Sequence, residues 1–346
     1  MTGMRVYHLI QHQASTWQAT LPFTKPLPFP GPYVFSGSGS SYYLAQTAAH
    51  YALSIGLEAR AVASTDIILE PEISLRGTGT LLVISRSGTT SEARWAALRG
   101  KEYGWSVVAV TCHADSPLVQ EADHAMVSPE GEDDTVVMIQ SFSSMLFLLQ
   151  NSLLLTAGQS YESSPLDGFT HDLIQQTTAI IPQVFTPVAP RRMYMLGSGT
   201  RYGIAQEGAL KAQEMSNQCA MAYSPMEFRH GPWGSVTSED LVVVLGQTRH
   251  RRLEHDVVED VLQRTSRVMV IAQQEWFEAH PPHPAIILPS KWDDITLGPL
   301  AIIPLQILAW HWTIGKGKDP DHPVNITQVV QLNDREAYNG PSEKHS

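Results

Sequence analysis

A ten-residue stretch recurs at a fixed distance in this chain. Residues 37–46 read GSGSSYYLAQ and residues 197–206 read GSGTRYGIAQ, with six of ten positions identical at a shift of 160. The same shift, without a gap, lays Leu81-Leu82-Val83-Ile84 on Leu241-Val242-Val243-Val244. It also lays Val107-Val108-Ala109-Val110 on Arg267-Val268-Met269-Val270, and Ala125-Met126-Val127 on Ala285-Ile286-Ile287. Chance supplies one apolar match readily, but not a series in one register joined to a glycine-rich match. Such a repeat has to be settled before any element is assigned. We therefore read two copies of one domain, spanning 31–160 and 191–332. An N-terminal segment (1–30) precedes them, a linking helix (161–190) joins them and a C-terminal tail (333–346) follows.

Within a copy, short β-branched runs alternate with helical stretches. Tyr33–Phe35, Leu81–Ile84, Val107–Val110 and Ala125–Val127 read as strands, and Tyr42–Ile55 and Ser91–Tyr103 read as helices. Wholly apolar strands separated by helices of this length imply a parallel sheet covered on both faces. Each copy is thus predicted to be a doubly wound α/β sheet with its working face at the C-terminal strand ends. Asp167–Ile181 is expected to be helical and to stop at Pro182. A last helix is expected near Leu300–Trp312, and Pro22–Pro32 reads as a linker or wrap.

Composition removes several function classes. The 23 Lys+Arg against 34 Asp+Glu leave a charge of −11, which repels a nucleic-acid backbone. The apolar stretches at 145–155 and 297–312 are broken by Gln150, Asn151, Pro299, Pro304 and Gln306, so they read as buried helices and no membrane span is expected. The N-terminus lacks a basic segment followed by an apolar one, so no targeting signal is expected. Two Cys and no CxxC point to a reducing, cytoplasmic setting. The 14 His lack HExxH or similar spacing, so neither metal nor cofactor is expected.

An acidic chain can still hold one phosphate ester, and two loops are suited to it. Ser36-Gly37-Ser38-Gly39-Ser40-Ser41 follows the first strand, and Ser85-Arg86-Ser87-Gly88-Thr89-Thr90 follows the Leu81–Ile84 strand. Each opens a helix. Gly lets the backbone approach an anion, helix N-termini offer free N–H groups, and Ser and Thr add hydroxyls. Ordinary helix capping would use the same residue types, but two such loops at neighbouring strand ends favour an anion site. GSGSSY lacks the third Gly of a dinucleotide fingerprint, and no GK[ST] occurs. The second copy has Leu245-Gly246-Gln247-Thr248-Arg249-His250 where the first has its hydroxyl loop, so the copies have diverged.

In the second copy, Glu207, Lys211 and Glu214 fall at i, i+4 and i+7, on one helix face. A solvated salt-bridge face would look the same. Farther on, Ser224-Pro225-Met226-Glu227-Phe228-Arg229-His230-Gly231-Pro232 sets a histidine in a constrained loop, where it could move protons or simply lie at the surface.

The motifs GSGSSYYLA, SRSGTTSEA, EGALKAQEMS, SPMEFRHGP and DPDHPVNITQVVQL together resemble the sugar isomerase (SIS) superfamily with two SIS domains in tandem. The chain is similar to the isomerase half of glucosamine-6-phosphate synthase. It also resembles the tagatose/galactosamine-6-phosphate isomerase–deaminase and fructosamine-6-phosphate deglycase groups. The resemblance implies flavodoxin-like α/β/α domains in a homodimer with shared sites. It implies a hexose or amino-hexose 6-phosphate substrate whose phosphate is held by Gly39, Ser40, Ser41, Ser85, Arg86, Ser87 and Thr90. Glu214 falls on the family's C1–C2 proton carrier. His230 falls on the histidine that assists ring opening from the neighbouring subunit. Glu207 and Lys211 support the same helix, and the family's acidic residue before the Val136–Gln150 helix falls within Glu132-Asp133-Asp134, with the register open among the three and Asp133 the one chosen. Arg86 replaces a Gln and is expected to add charge to the site. Gln328 stands where the synthase has a lysine, so no imine can form there, and no cysteine near residue 1 marks a glutaminase. The implied reaction is isomerisation or deamination, with a deglycase or a non-catalytic phosphosugar-binding regulator as alternatives.

Overall fold

The computed structural model describes residues 2–160, 167–277, 283–290, 298–330 and 332. The expected tail 333–346 and the first residues of the linking segment, 161–166, lie outside them. Two five-stranded sheets are present, and every strand pairing is parallel. The first contains β1 (Tyr33–Gly37), β2 (Ala59–Ala63), β3 (Thr80–Ile84), β4 (Ser106–Thr111) and β5 (His124–Val127), in the order β2-β1-β3-β4-β5. The second contains β6 (Met193–Gly197), β7 (Ala220–Tyr223), β8 (Leu241–Leu245), β9 (Val268–Gln273) and β10 (Ala285–Leu288). Its order, β7-β6-β8-β9-β10, is that of the first.

Strand register refines the repeat. Tyr33 pairs with Ala59 and Thr80, and Met193, 160 residues on, pairs with Ala220 and Leu241. The shift is therefore 161 at β2 and β3. It stays 161 at β4, where Leu81 pairs with Val107 and Val242 with Val268. At β5 it returns to 160, because Val110 faces Met126 and Ile271 faces Ile286. The gapless alignment was thus off by one across the middle strands. Runs of like apolar residues tolerate such a slip, because side-chain type alone does not mark the register.

Alternate strand residues face opposite sides, as the pleat requires. Leu82, Ile84, Val108 and Val110 join Met195, Leu241, Val243 and Met269 in one central core shared by both halves. Leu81, Val83, Val107 and Ala109 face an outer layer against Ala93, Ala96 and Ala97. Val242, Val244, Val268 and Val270 do likewise against Val257, Val258 and Val261. Between the sheets lie the helices Ser40–Ser54 and Thr200–Ser216, in contact with each other, and the last helix, Gly298–Gly315.

Three expectations change. The N-terminal segment carries a helix, Met4–Thr20, whose Val6, Leu9, Ile10, Ala14 and Trp17 enter the central core at helical spacing. The linking helix runs Asp167–Phe185 with Pro182 inside it. A proline can be carried near a helix end, where few intrahelical bonds remain to be lost. The helix expected from Val136 begins at Gln140. No helix among the described residues is long and apolar enough to cross a membrane.

Candidate active site

The glycine-rich turns build the site. At Gly37 an added Cβ would lie 2.5 Å from the backbone of Ser41, and at Gly197 it would lie 2.4 Å from the carbonyl of Arg201. No side chain fits there, so the following helix can rise directly from the strand end. Gly39 and Gly199 share one positive-φ conformation (φ 56°, ψ −128° and φ 55°, ψ −125°), which suits glycine.

A cavity of about 190 Å³ opens at the ends of β1 and β3. Gly39, Ser40, Ser41, Ser85, Arg86, Ser87 and Thr90 all line it, so both loops face one space. Their hydroxyls are held in place. Ser85 Oγ accepts from Gly88 N–H at 3.2 Å and lies 3.4 Å from Thr90 Oγ1, and Ser87 Oγ lies 2.8 Å from Thr89 Oγ1. Glu214 from the second half and Gln328 from the C-terminal segment line the same cavity.

Arg86 does not bring a free charge, contrary to expectation. It is 4% exposed, and its guanidinium donates to the carbonyls of Thr135 and Val136 at 3.3 Å. Asp133 lies 3.7 Å from it and Glu132 3.8 Å. A buried guanidinium requires such partners. Asp133 does not line the cavity. Its carboxylate accepts from the N–H groups of Ile139 (3.0 Å) and Gln140 (2.9 Å) and from Ser141, at the start of the Gln140–Thr156 helix. Burial raises its pKa, against the hydrogen bond from Ser141 and the charge of Arg86. Asp133 thus fixes the segment that presents Val136 and Met138 to the cavity.

Glu207, Lys211 and Glu214 are not a solvated face. Glu207 and Lys211 are fully buried. Lys211 Nζ lies 3.4 Å from Glu207 Oε1, donates to Glu214 Oε2, and reaches across the halves to Ser40 Oγ at 3.2 Å. Burial, reinforced by Glu214 and opposed by Lys211, pushes the Glu207 pKa up to about 8. Burial disfavours the Lys211 ammonium, but the two carboxylates outweigh it and raise its pKa. At neutral pH the cluster therefore holds Lys211 charged and Glu207 largely protonated, and Glu214 is the member that reaches the cavity. Two carboxylates beside one ammonium would bury a net negative charge, and the extra proton removes it.

His230 is exposed, follows the short helix Pro225–Phe228 and does not line the cavity. A single chain therefore does not bring it to Glu214. Sequence reasoning did not single out Ser38, Glu92, Val136, Met138, Ile326, Thr327 and Val330 as lining residues. Ser38, Glu92, Ile326, Thr327 and Val330 sit within the quoted motifs. Val136 and Met138 gain their place only from the path of the chain around Asp133. Among the described residues, no three His, Cys, Asp or Glu side chains gather into a metal site.

The sequence pattern of the SIS domain matches residues 33–155 and 188–278. The chain belongs to the SIS domain family. A glutamine–fructose-6-phosphate aminotransferase (isomerizing) of Aliivibrio fischeri is 29% identical over 317 residues, covering 85% of this SIS protein and 50% of the relative. The chain thus spans about half the length of the curated relatives it matches. Among solved structures, glucosamine-6-phosphate deaminase of Thermotoga maritima superposes with a TM-score of 0.79 at 23% identity, over 95% of this chain and 100% of that one. Tagatose-6-phosphate ketose/aldose isomerase of Escherichia coli gives 0.77 at 24% identity, over 96% of each chain. The SIS protein therefore shares its two-sheet fold with phosphosugar isomerases and a deaminase.

Proposed function

We propose that this SIS protein rearranges a hexose or amino-hexose 6-phosphate by proton transfer between C1 and C2, as an aldose–ketose isomerase or an aminosugar-phosphate deaminase. One observation carries the reading: a single cavity joins the hydroxyl cradle of the first half to Glu214 of the second. The names of the relatives support the substrate class. The phosphate anchors one end of the sugar at Ser41, Ser85, Ser87 and Thr90. That remote contact fixes C1 and C2 against the base. Glu214 takes the C2 proton and returns it at C1, with Lys211 holding its carboxylate in place. Gln328 can hydrogen-bond the open-chain sugar but offers no amine for an imine.

The test begins with a thermal-shift screen of hexose and amino-hexose 6-phosphates. Turnover of each hit is then followed by ketose formation and by ammonia release, which separates isomerase from deaminase. A panel that binds but never turns over would overturn the enzymatic reading. For the best ligand, Ser87→Ala is expected to raise the Kd about 10- to 100-fold, the weight of a hydrogen bond to a charged group. Calorimetry that finds an unchanged Kd would remove the cradle.

We further propose that His230 acts on the site of a neighbouring subunit in a homodimer. Its absence from the cavity lining within one chain motivates this. Mixing Glu214→Gln and His230→Asn chains should then restore about a quarter of wild-type activity, because half the dimers carry one intact shared site. No recovery in proven mixed dimers would contradict it.

A further inference from the structure

The second half preserves the turn geometry of the first, yet its cradle is filled from within. The strand registers set Gly246 on Ser85 and Gln247 on Arg86, since Gly246 N–H donates to Ile271 O as Ser85 N–H donates to Val110 O. Ser198 stands on Ser38, and Gly199 keeps the backbone angles of Gly39. Arg86 and Ser38 line the first cavity. Their counterparts are bound by a carboxylate. Glu254, 2% exposed, accepts from Gln247 N–H at 2.8 Å and from Trp276 Nε1 at 2.8 Å, and Ser198 Oγ lies 3.4 Å from its other oxygen. Glu254 is on the first turn of the helix Arg251–Leu262, which follows the loop as Ser91–Glu102 follows its own. Arg249 closes the mouth, with NH2 3.2 Å from the position of a Cβ on Gly199 and 3.4 Å from Gln247 Oε1.

We infer that the second half retains an anion site and that the Glu254 carboxylate occupies it as a tethered substitute for phosphate. The inference rests on reading the first cradle as a phosphate site. A backbone N–H, an indole N–H and a hydroxyl converging on one buried carboxyl group form an anion cradle by the same physics that binds a phosphate oxygen. Tethering fills the site at an effective concentration that a free ester cannot match. Two consequences follow. The chain takes one phosphosugar despite having two copies of the domain. The carboxylate also pins Ser198 and Gln247, and Gln247 Nε2 holds Thr200 Oγ1 at 3.2 Å, so the start of the helix carrying Glu207, Lys211 and Glu214 is fixed from this side.

The experiment uses inorganic phosphate against chloride at equal ionic strength, on the full chain. Wild type should bind one phosphate, lost in Ser87→Ala. If Ser87→Ala leaves that binding intact, the reading of the first cradle fails, whatever Glu254 does. In the Ser87→Ala background, adding Glu254→Ala should lower the Tm in chloride and restore phosphate binding with a rise in Tm. Glu254→Gln, which keeps the volume and blocks entry, should lose stability without responding to phosphate. If Glu254→Ala does not fold in chloride, its refolding yield in phosphate is the readout. Equal responses of the two variants, or none from Glu254→Ala by either measure, would overturn the inference.

Discussion

Glu214→Gln is expected to lower kcat about 10²- to 10⁴-fold, the weight of a general base, while the Kd for the sugar phosphate changes little. The two effects separate because the residue comes from the second half of the chain and is not part of the hydroxyl loops that would hold the phosphate. The cluster around it also tolerates the change. Repulsion from Glu214 is one of the causes that raise the Glu207 pKa, after burial. Removing the Glu214 charge therefore lets Glu207 ionise more readily, and Lys211 keeps a carboxylate 3.4 Å away. A buried ammonium left without a partner would unfold the helix, but this variant does not create one. Calorimetry and steady-state kinetics on the same sample decide it. Full turnover in the variant would show that another group moves the proton, and a lost Kd would show that Glu214 binds rather than reacts.

The fold was legible because its signals are periodic. Apolar strands in two series, each with a glycine-rich turn, fixed the parallel α/β class, and both sheets follow that rhythm. The hydroxyl cradle was legible for a related reason: Ser41, Ser85, Ser87 and Thr90 lie in loops whose geometry is local to a strand end. Long-range encounters were not legible. The carboxylates that meet Arg86 depend on how the chain returns after β5, so a residue read as free cationic charge proved to be paired. Lys211 read equally well as a surface partner of Glu207, because i, i+4 spacing is the same in water and in a core. Only the packing of the Thr200–Ser216 helix against the Ser40–Ser54 helix buries it and brings it to Ser40. The Met4–Thr20 helix was missed although Val6, Leu9, Ile10, Ala14 and Trp17 are spaced for it, because polar residues between them dilute the signal.

That burial sets the largest stability effect. Lys211→Met is expected to cost about 3–5 kcal/mol, the range seen when one partner of a buried charge group is removed. Methionine fills much of the volume, so the loss reflects charge rather than a cavity. The pH dependence gives the sign. The folded Glu207 pKa, about 8, lies above the ordinary value of 4.5. Stability from this group is complete below about 4.5 and is lost as pH rises from there through about 8, because the unfolded chain gives up the proton that the buried carboxyl keeps. Lys211 opposes that rise, as its positive charge lowers the Glu207 pKa. Without Lys211 the Glu207 carboxyl is harder still to ionise, so the variant goes on losing stability above pH 8 where wild type no longer does, and the gap between wild type and Lys211→Met should widen from pH 8 to pH 10. Urea denaturation across that range measures it. A gap that is small at every pH would mean that the three side chains are not coupled as charges. A gap that is large but independent of pH would assign the loss to packing. With a widening gap, the residual activity of folded Lys211→Met separates its structural role from the orientation of Glu214: a kcat below wild type at an unchanged Kd is the expected result.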